Sequence, residues 1–310
     1  MIDHRSLGFK GQSPVAVLQN NFLHEFENLF PGFKEYAKEL IGKGEIDPEI
    51  TYDAMDTRVK SPFAMDTHIY VTEGLASFIW CMAYSLMVFH HEITVKLGKN
   101  NYLGNQNEQP DKELVKQGLD LFDYAMLIKN ENKDWDLKLP NPAYYPENQQ
   151  DLIEKVNAVC VNAMKFVIGH EFAHIELQHT KANAPMSRKD GIALSINQEK
   201  EADARALELV LRGTTPSGKD TLELGILVGL FSILMLQESN KSEGYPDTDD
   251  RLGVYLENLK IDDDHYLWAV AVQGYKLWDL HYGKNMVWPS DRPNYKAVYF
   301  AIREQLKKDA

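Results

Sequence analysis

Val167-Ile168-Gly169-His170-Glu171-Phe172-Ala173-His174 reads H-E-x-x-H inside a long run of apolar residues at helical spacing. Side chains four apart on a helix share a face, so His170 and His174 can aim two imidazoles at one metal ion. Glu171, beside the first histidine, can reach a water on that ion and act as its base. Working outward, Leu152, Val156, Val159, Ala163, Val167, His170 and His174 step by three or four. The spacing predicts one helix from Asp151 to about Gln178, with both histidines on its inward stripe. Two imidazoles on a buried face need partners, and a single metal ion satisfies both. His179 is five residues past His174 and falls off that stripe. It reads as a helix-terminal residue, not a ligand.

A catalytic zinc takes three protein ligands and keeps one position open. The third is sought in Asn197-Gln198-Glu199-Lys200-Glu201-Ala202-Asp203-Ala204-Arg205-Ala206, a helix start followed by small residues. Glu199, Asp203, Ala206 and Val210 share one face, while Glu201 points about 200° away from Glu199. With Glu199 as the ligand, Asp203 stands one turn on and can accept the N–H of a ligating imidazole. No carboxylate follows Glu201 in that way. Glu199 is therefore preferred and Glu201 is the alternative. Ala202 and Ala206 would let two helices approach closely. The competing account, an acidic cluster that merely solvates a helix N-terminus, is the weaker one beside H-E-x-x-H.

The chain has 310 residues and a formal charge of -13. That charge argues against nucleic acid or an anionic membrane as a partner. Cys81 and Cys160 both lie in apolar runs and read as buried free thiols of a reducing compartment. The N-terminus shows no basic region followed by an apolar stretch, so no secretory signal is expected. Leu75 to Phe89 is an uncharged apolar run, but shorter than the roughly 20 residues of a membrane span. These features together predict a cytoplasmic protein.

Taken in order, residues 13–44 read as helix, interrupted at Pro31-Gly32. Residues 49–72 are β-branched and aromatic and predict a small sheet or hairpin. An edge strand there could hold an extended peptide beside the metal helix, or be purely structural. Residues 73–97 read as a central helix, apolar nearly all round, with His90 and His91 at its end. A polar loop is expected over 98–109, a helix over 111–130 and an irregular, Pro- and Tyr-rich connection over 131–149. A loop is expected over 180–195 and helices over 219–238, 251–260, 264–282 and 292–308. No composition break divides the chain, which predicts a single domain over 1–310. Residues 1–72 would supply an N-terminal helix and strands, and 73–310 a helical core with the zinc site.

H-E-x-x-H followed by Glu199-x-x-x-Asp203 resembles the gluzincin pattern of zinc peptidases. That resemblance implies His170, His174 and Glu199 as ligands of Zn2+, Glu171 as base and Asp203 as the outer carboxylate. Three segments resemble the Lit family of phage-exclusion peptidases more closely. They are Ile69-Tyr70-Val71 through Trp80 to Phe89, Gly169 through His179, and Gln198 through Asp203 with the helix after it. The resemblance spans about residues 67 to 212, with a weaker echo to 251. It implies an α+β, mostly α-helical fold with a zincin-like metallopeptidase core. It also implies a cytoplasmic endopeptidase that cuts a host protein during phage infection. Elongation factor Tu would be the substrate and a phage peptide the activator. Relatives often carry His-Pro six residues before an Arg. Here Tyr245-Pro246 precedes Arg251, with Tyr in place of His. A Tyr O–H or an Arg can stabilise an oxyanion, so Tyr245 and Arg251 join the catalytic candidates. A turn, with Arg251 paired to Asp249 or Asp250, explains them equally well. Two other readings stand beside this one: a different cytoplasmic zinc protease, of toxin–antitoxin or repressor-cleaving type, and a non-catalytic zinc-binding interaction protein.

Overall fold

The computed structural model describes residues 1–4, 11–47, 50–54, 56–96, 109–181, 186–289 and 293–308. The polar loop expected over 98–109 lies almost wholly outside the described residues, as does Pro185. The described residues form ten α-helices and five short strands, a mostly α-helical α+β architecture. The strands are β1 (Ile2–Asp3), β2 (Ile50–Asp53), β3 (Phe63–Met65), β4 (His68–Thr72) and β5 (Tyr144–Tyr145). The helices are α1 (Gln19–Glu27), α2 (Phe33–Gly42), α3 (Glu73–Phe89), α4 (Lys112–Asn130), α5 (Gln150–Glu176), α6 (Arg188–Arg212), α7 (Lys219–Met235), α8 (Thr248–Asn258), α9 (Tyr266–Tyr282) and α10 (Tyr295–Lys308). Among the described residues, no helix is long and apolar enough to cross a membrane.

Helix α5 is the axis, packed against α7, α6, α3 and α1. Its inward stripe made that position legible: Val156, Val159, Ala163, Val167 and His170 are all buried. α7 lies close against it at Gly225. A Cβ there would sit 2.6 Å from Asn162 Cβ and 2.9 Å from the Val159 carbonyl oxygen, so the two backbones approach only because the side chain is missing. α6 meets α5 through Ala202 and Ala206, both fully buried. α3 is buried on every side from Glu73 to Leu86. Thr72 caps its N-terminus, the hydroxyl accepting from Leu75 N–H at 3.3 Å, a contact that typically contributes about 1 kcal/mol. The buried apolar side chains, from Val15 to Ile302, form one continuous cluster.

The sheet is more than a hairpin. Its order is β2-β4-β3, with β3 antiparallel and β2 parallel to β4. β3 is an edge strand and packs beside α5. In β4, Ile69 and Val71 face the core while the residues between them are half-buried, the alternation of a one-sided strand. A second, two-stranded ribbon pairs Ile2 with Tyr145 and Asp3 with Tyr144.

Two boundaries differ from expectation. α6 starts at Arg188, inside the stretch expected to be loop, because Ser187 caps it by accepting from Asp190 N–H at 3.2 Å. The central apolar helix does not end at His90 and His91; it continues as a π-helical turn over His90–Val95. His90 turns toward the ring of Tyr266, 5.7 Å between centroids. Burial, with some help from His91, pushes its imidazole down to about 4. An unfolded histidine titrates near 6.5, so between these values the unfolded chain binds the extra proton. Stability is retained above the unfolded value and falls as pH drops toward 4. Wild type is expected to lose about 2 kcal/mol more than His90→Leu between pH ~7.5 and pH ~5 in urea unfolding. Equal losses in the two proteins would remove His90 from the acid response.

Candidate active site

His170, Glu171 and His174 project from the last two turns of α5. Glu199 and Asp203 come from the middle of α6. His170 Nε2 and His174 Nε2 lie 3.1 Å apart. Glu199 reaches both, with Oε2 3.3 Å from His170 Nε2 and Oε1 3.4 Å from His174 Nε2. One ligand atom from each of these three residues falls within a 4.8 Å cluster. Among the described residues, His170, His174 and Glu199 are the group so arranged. Glu201 is not part of it.

The electrostatics at this point favour positive charge. Burial opposes protonation of His170, yet Asp203 and Glu199 beside it push its imidazole up to about 10. Burial would raise the Glu199 carboxyl, but His170 and His174 hold it well below the ordinary carboxylate range. Two ring nitrogens and a carboxylate oxygen that face one another repel unless a proton or cation lies among them. Among the described residues the cluster is two imidazoles and one carboxylate, which matches the donor set of an open zinc site. The residues present therefore fit the metal.

Asp203 stands behind His170, its Oδ1 2.9 Å from His170 Nδ1. Arg251, at the start of α8, grips the same carboxylate with Nε to Oδ2 at 2.7 Å and Nη2 to Oδ1 at 2.7 Å. Burial alone would raise Asp203, but Arg251 and then His170 bring it down. Arg251, a catalytic candidate from the sequence, lines the same cavity as the two histidines. Its Nε and Nη2 N–H groups go to Asp203, not to Asp249 or Asp250. Asp249 and Asp250 pair with Arg303, at 3.5 and 2.9 Å.

Glu171, the residue after His170 along α5, is also buried. Burial raises its carboxyl above the usual range, against the opposing pull of His170, His174 and the Ala64 N–H of edge strand β3. A carboxyl moved toward neutrality can both take and return a proton. Tyr245, half-exposed, lines the same cavity as the two histidines and Glu171. Burial and the charges of Glu199 and Glu171 raise its hydroxyl pKa, so it stays a donor. The cavity is about 380 Å³. Phe63 and Ala64 of β3, together with Leu75, Ile79, Phe166, Ile233 and Leu236, give it apolar lining.

Two residues stand at the site that the periodic reading set aside. His179 Nδ1 is 3.1 Å from His174 Nδ1, and His179 Nε2 is 3.1 Å from Glu201 Oε2. The reason is the way α5 ends. Gln178 takes a left-handed φ of 62°. Gln178 N–H then bonds the Ile175 carbonyl at 2.9 Å, and His179 N–H bonds the His174 carbonyl at 2.8 Å. This Schellman cap turns the chain back, so His179 no longer follows the helical count. The available signal was the pair of histidines on either side of a predicted helix end.

A sequence model of the family described as Peptidase U49 matches residues 69–271. No curated protein and no solved structure matches the chain.

Proposed function

The chain belongs to the peptidase U49 family, the Lit-type proteases whose motifs it resembles, and on that premise we propose that it is a zinc-dependent endopeptidase. The observation that carries the reading is the convergence of His170 Nε2, His174 Nε2 and a Glu199 carboxylate oxygen on one point. These three would hold the metal. Zinc bound there would supply a Lewis acid for the scissile carbonyl and lower the pKa of a water. Glu171 takes the proton of the attacking water and hands it to the leaving amine nitrogen. The Tyr245 hydroxyl donates to the oxygen on which negative charge develops. Arg251 holds Asp203, and Asp203 holds His170. Phe63 and Met65, both half-exposed, belong to the edge strand β3 itself, which suits docking of an extended peptide by strand addition.

Glu199→Ala is expected to reduce bound zinc more than Glu201→Ala, measured as metal per chain after dialysis. The reverse order would move the third ligand to Glu201.

The substrate reading follows the Lit-type resemblance. We propose a host translation factor of the elongation factor Tu kind, cut during phage infection with a phage peptide as trigger. The test is proteomic. Wild type and Glu171→Gln are expressed in a bacterial host with and without phage, and new protein N-termini are mapped. One host protein cleaved by wild type alone is the expected result. Identical maps from the two strains would overturn the endopeptidase reading, and cleavage of some other protein would replace the substrate.

A further inference from the structure

The two site histidines are braced from different sides by unlike devices. Behind His170 stands a carboxylate held by a guanidinium, Asp203 with Arg251. Behind His174 stands another imidazole, His179, held in turn by Glu201. Glu201 is itself fixed on its own helix, its Oε1 accepting from Asn197 Nδ2 at 2.7 Å.

Proton bookkeeping gives this chain a direction. An ionised carboxylate only accepts, so Glu201 requires a hydrogen on His179 Nε2. A neutral His179 then presents a lone pair at Nδ1. That lone pair needs a donor, and His174 Nδ1 is the ring nitrogen 3.1 Å away. With its hydrogen on Nδ1, His174 carries its lone pair on Nε2, the atom that faces Glu199 and His170. Glu201 thus sets the tautomer of His174 through His179.

The helix end alone does not account for this imidazole. The Schellman cap is closed by backbone groups of Gln178 and His179 and needs no polar side chain. Such caps usually carry an apolar contact between the residue after the turn and the one five positions back. Here that contact is between two imidazole rings, with centroids 5.1 Å apart at 72°. The His179 side chain is only 7 % exposed.

We propose that His179, held by Glu201, is the positioning residue that fixes the tautomer and orientation of His174 as a metal ligand. This rests on the zinc reading above. It assigns a task to Glu201 although Glu201 is not a ligand, and it makes the carboxylates of α6 serve both histidines from one helix.

The test is zinc affinity of the full chain, stripped of metal and titrated against a competing chromogenic chelator. His179→Leu is expected to weaken zinc binding by about 10- to 100-fold, the range typical for loss of an outer partner of a ligating histidine. His179→Gln, whose amide oxygen can still accept from His174, is expected to recover much of that loss. Glu201→Leu, which removes the acceptor of His179 Nε2–H, is expected to weaken binding with His179 left in place. Melting curves of the metal-free proteins show whether each variant folds. Should His179→Leu fail to fold, the comparison of Glu201→Leu with wild type decides. Binding within twofold of wild type in His179→Leu or Glu201→Leu, or His179→Gln no better than His179→Leu, overturns the proposal while leaving the zinc site standing. A wild-type chain that takes up no zinc overturns the zinc reading itself, and this proposal with it.

Discussion

Glu171→Gln is expected to abolish peptide hydrolysis while leaving the zinc affinity of the chain within a few-fold of wild type. The amide keeps the size of the carboxyl and can still accept the Ala64 N–H that reaches this side chain from β3. It cannot take a proton from water at any useful pH. General-base assistance is typically worth 10²- to 10⁴-fold. Here the same carboxyl also returns the proton to the leaving nitrogen, so a loss at or beyond the upper end, ~10⁴-fold, is predicted. The measurement is kcat/KM on the mapped substrate, with zinc content determined on the same preparation. Zinc retained with hydrolysis lost supports the assignment. Undiminished hydrolysis would remove Glu171 from the base role, and parallel loss of metal would make it structural.

Arg251→Leu is expected to destabilise the chain by about 3–5 kcal/mol, because it leaves the Asp203 carboxylate, 16 % exposed, with His170 as its remaining charge partner. The guanidinium makes a forked contact that a single ammonium cannot copy, so Arg251→Lys should recover only part of the loss. Replacing both partners, Arg251→Leu with Asp203→Leu, should recover stability because no charge is stranded, although the support of His170 is gone. Urea unfolding of the metal-free proteins measures the first effect and chelator competition the second. A loss under about 1 kcal/mol for Arg251→Leu would mean that the pair is solvated like an exposed salt bridge.

The parts of this protein legible in its sequence are those governed by one helix at a time. The stripe from Leu152 to His174 has helical period, and α5 lies along it. Glu199 and Asp203 are four apart on α6, and they stand behind and beside the same histidine. The all-round apolar run from Leu75 to Phe89 announced a buried helix, and α3 is one. What could not be read are the features that depend on chain reversal or on packing between distant segments. Arg251 meets Asp203 across 48 positions of chain, and that depends on where α8 is placed by its packing on α7. His179 returns to His174 only because Gln178 goes left-handed, a conformation that its side chain does not advertise. The ribbon of β1 and β5 has two residues per strand and joins Ile2 to Tyr145, too short a pattern to show alternation. The parallel pairing of β2 with β4 was hidden for a related reason. Strand pattern reports which residues alternate, not which neighbour a strand chooses.

The catalytic reading requires a metal held by two imidazoles and one carboxylate with a position left open. Zinc-edge X-ray absorption on the purified, zinc-loaded chain tests it most directly. The account predicts two histidine scatterers and oxygen neighbours at about 2.0–2.2 Å, with no sulfur in the shell. A chain that holds no zinc, a sulfur ligand near 2.3 Å, or a shell without histidine would contradict it.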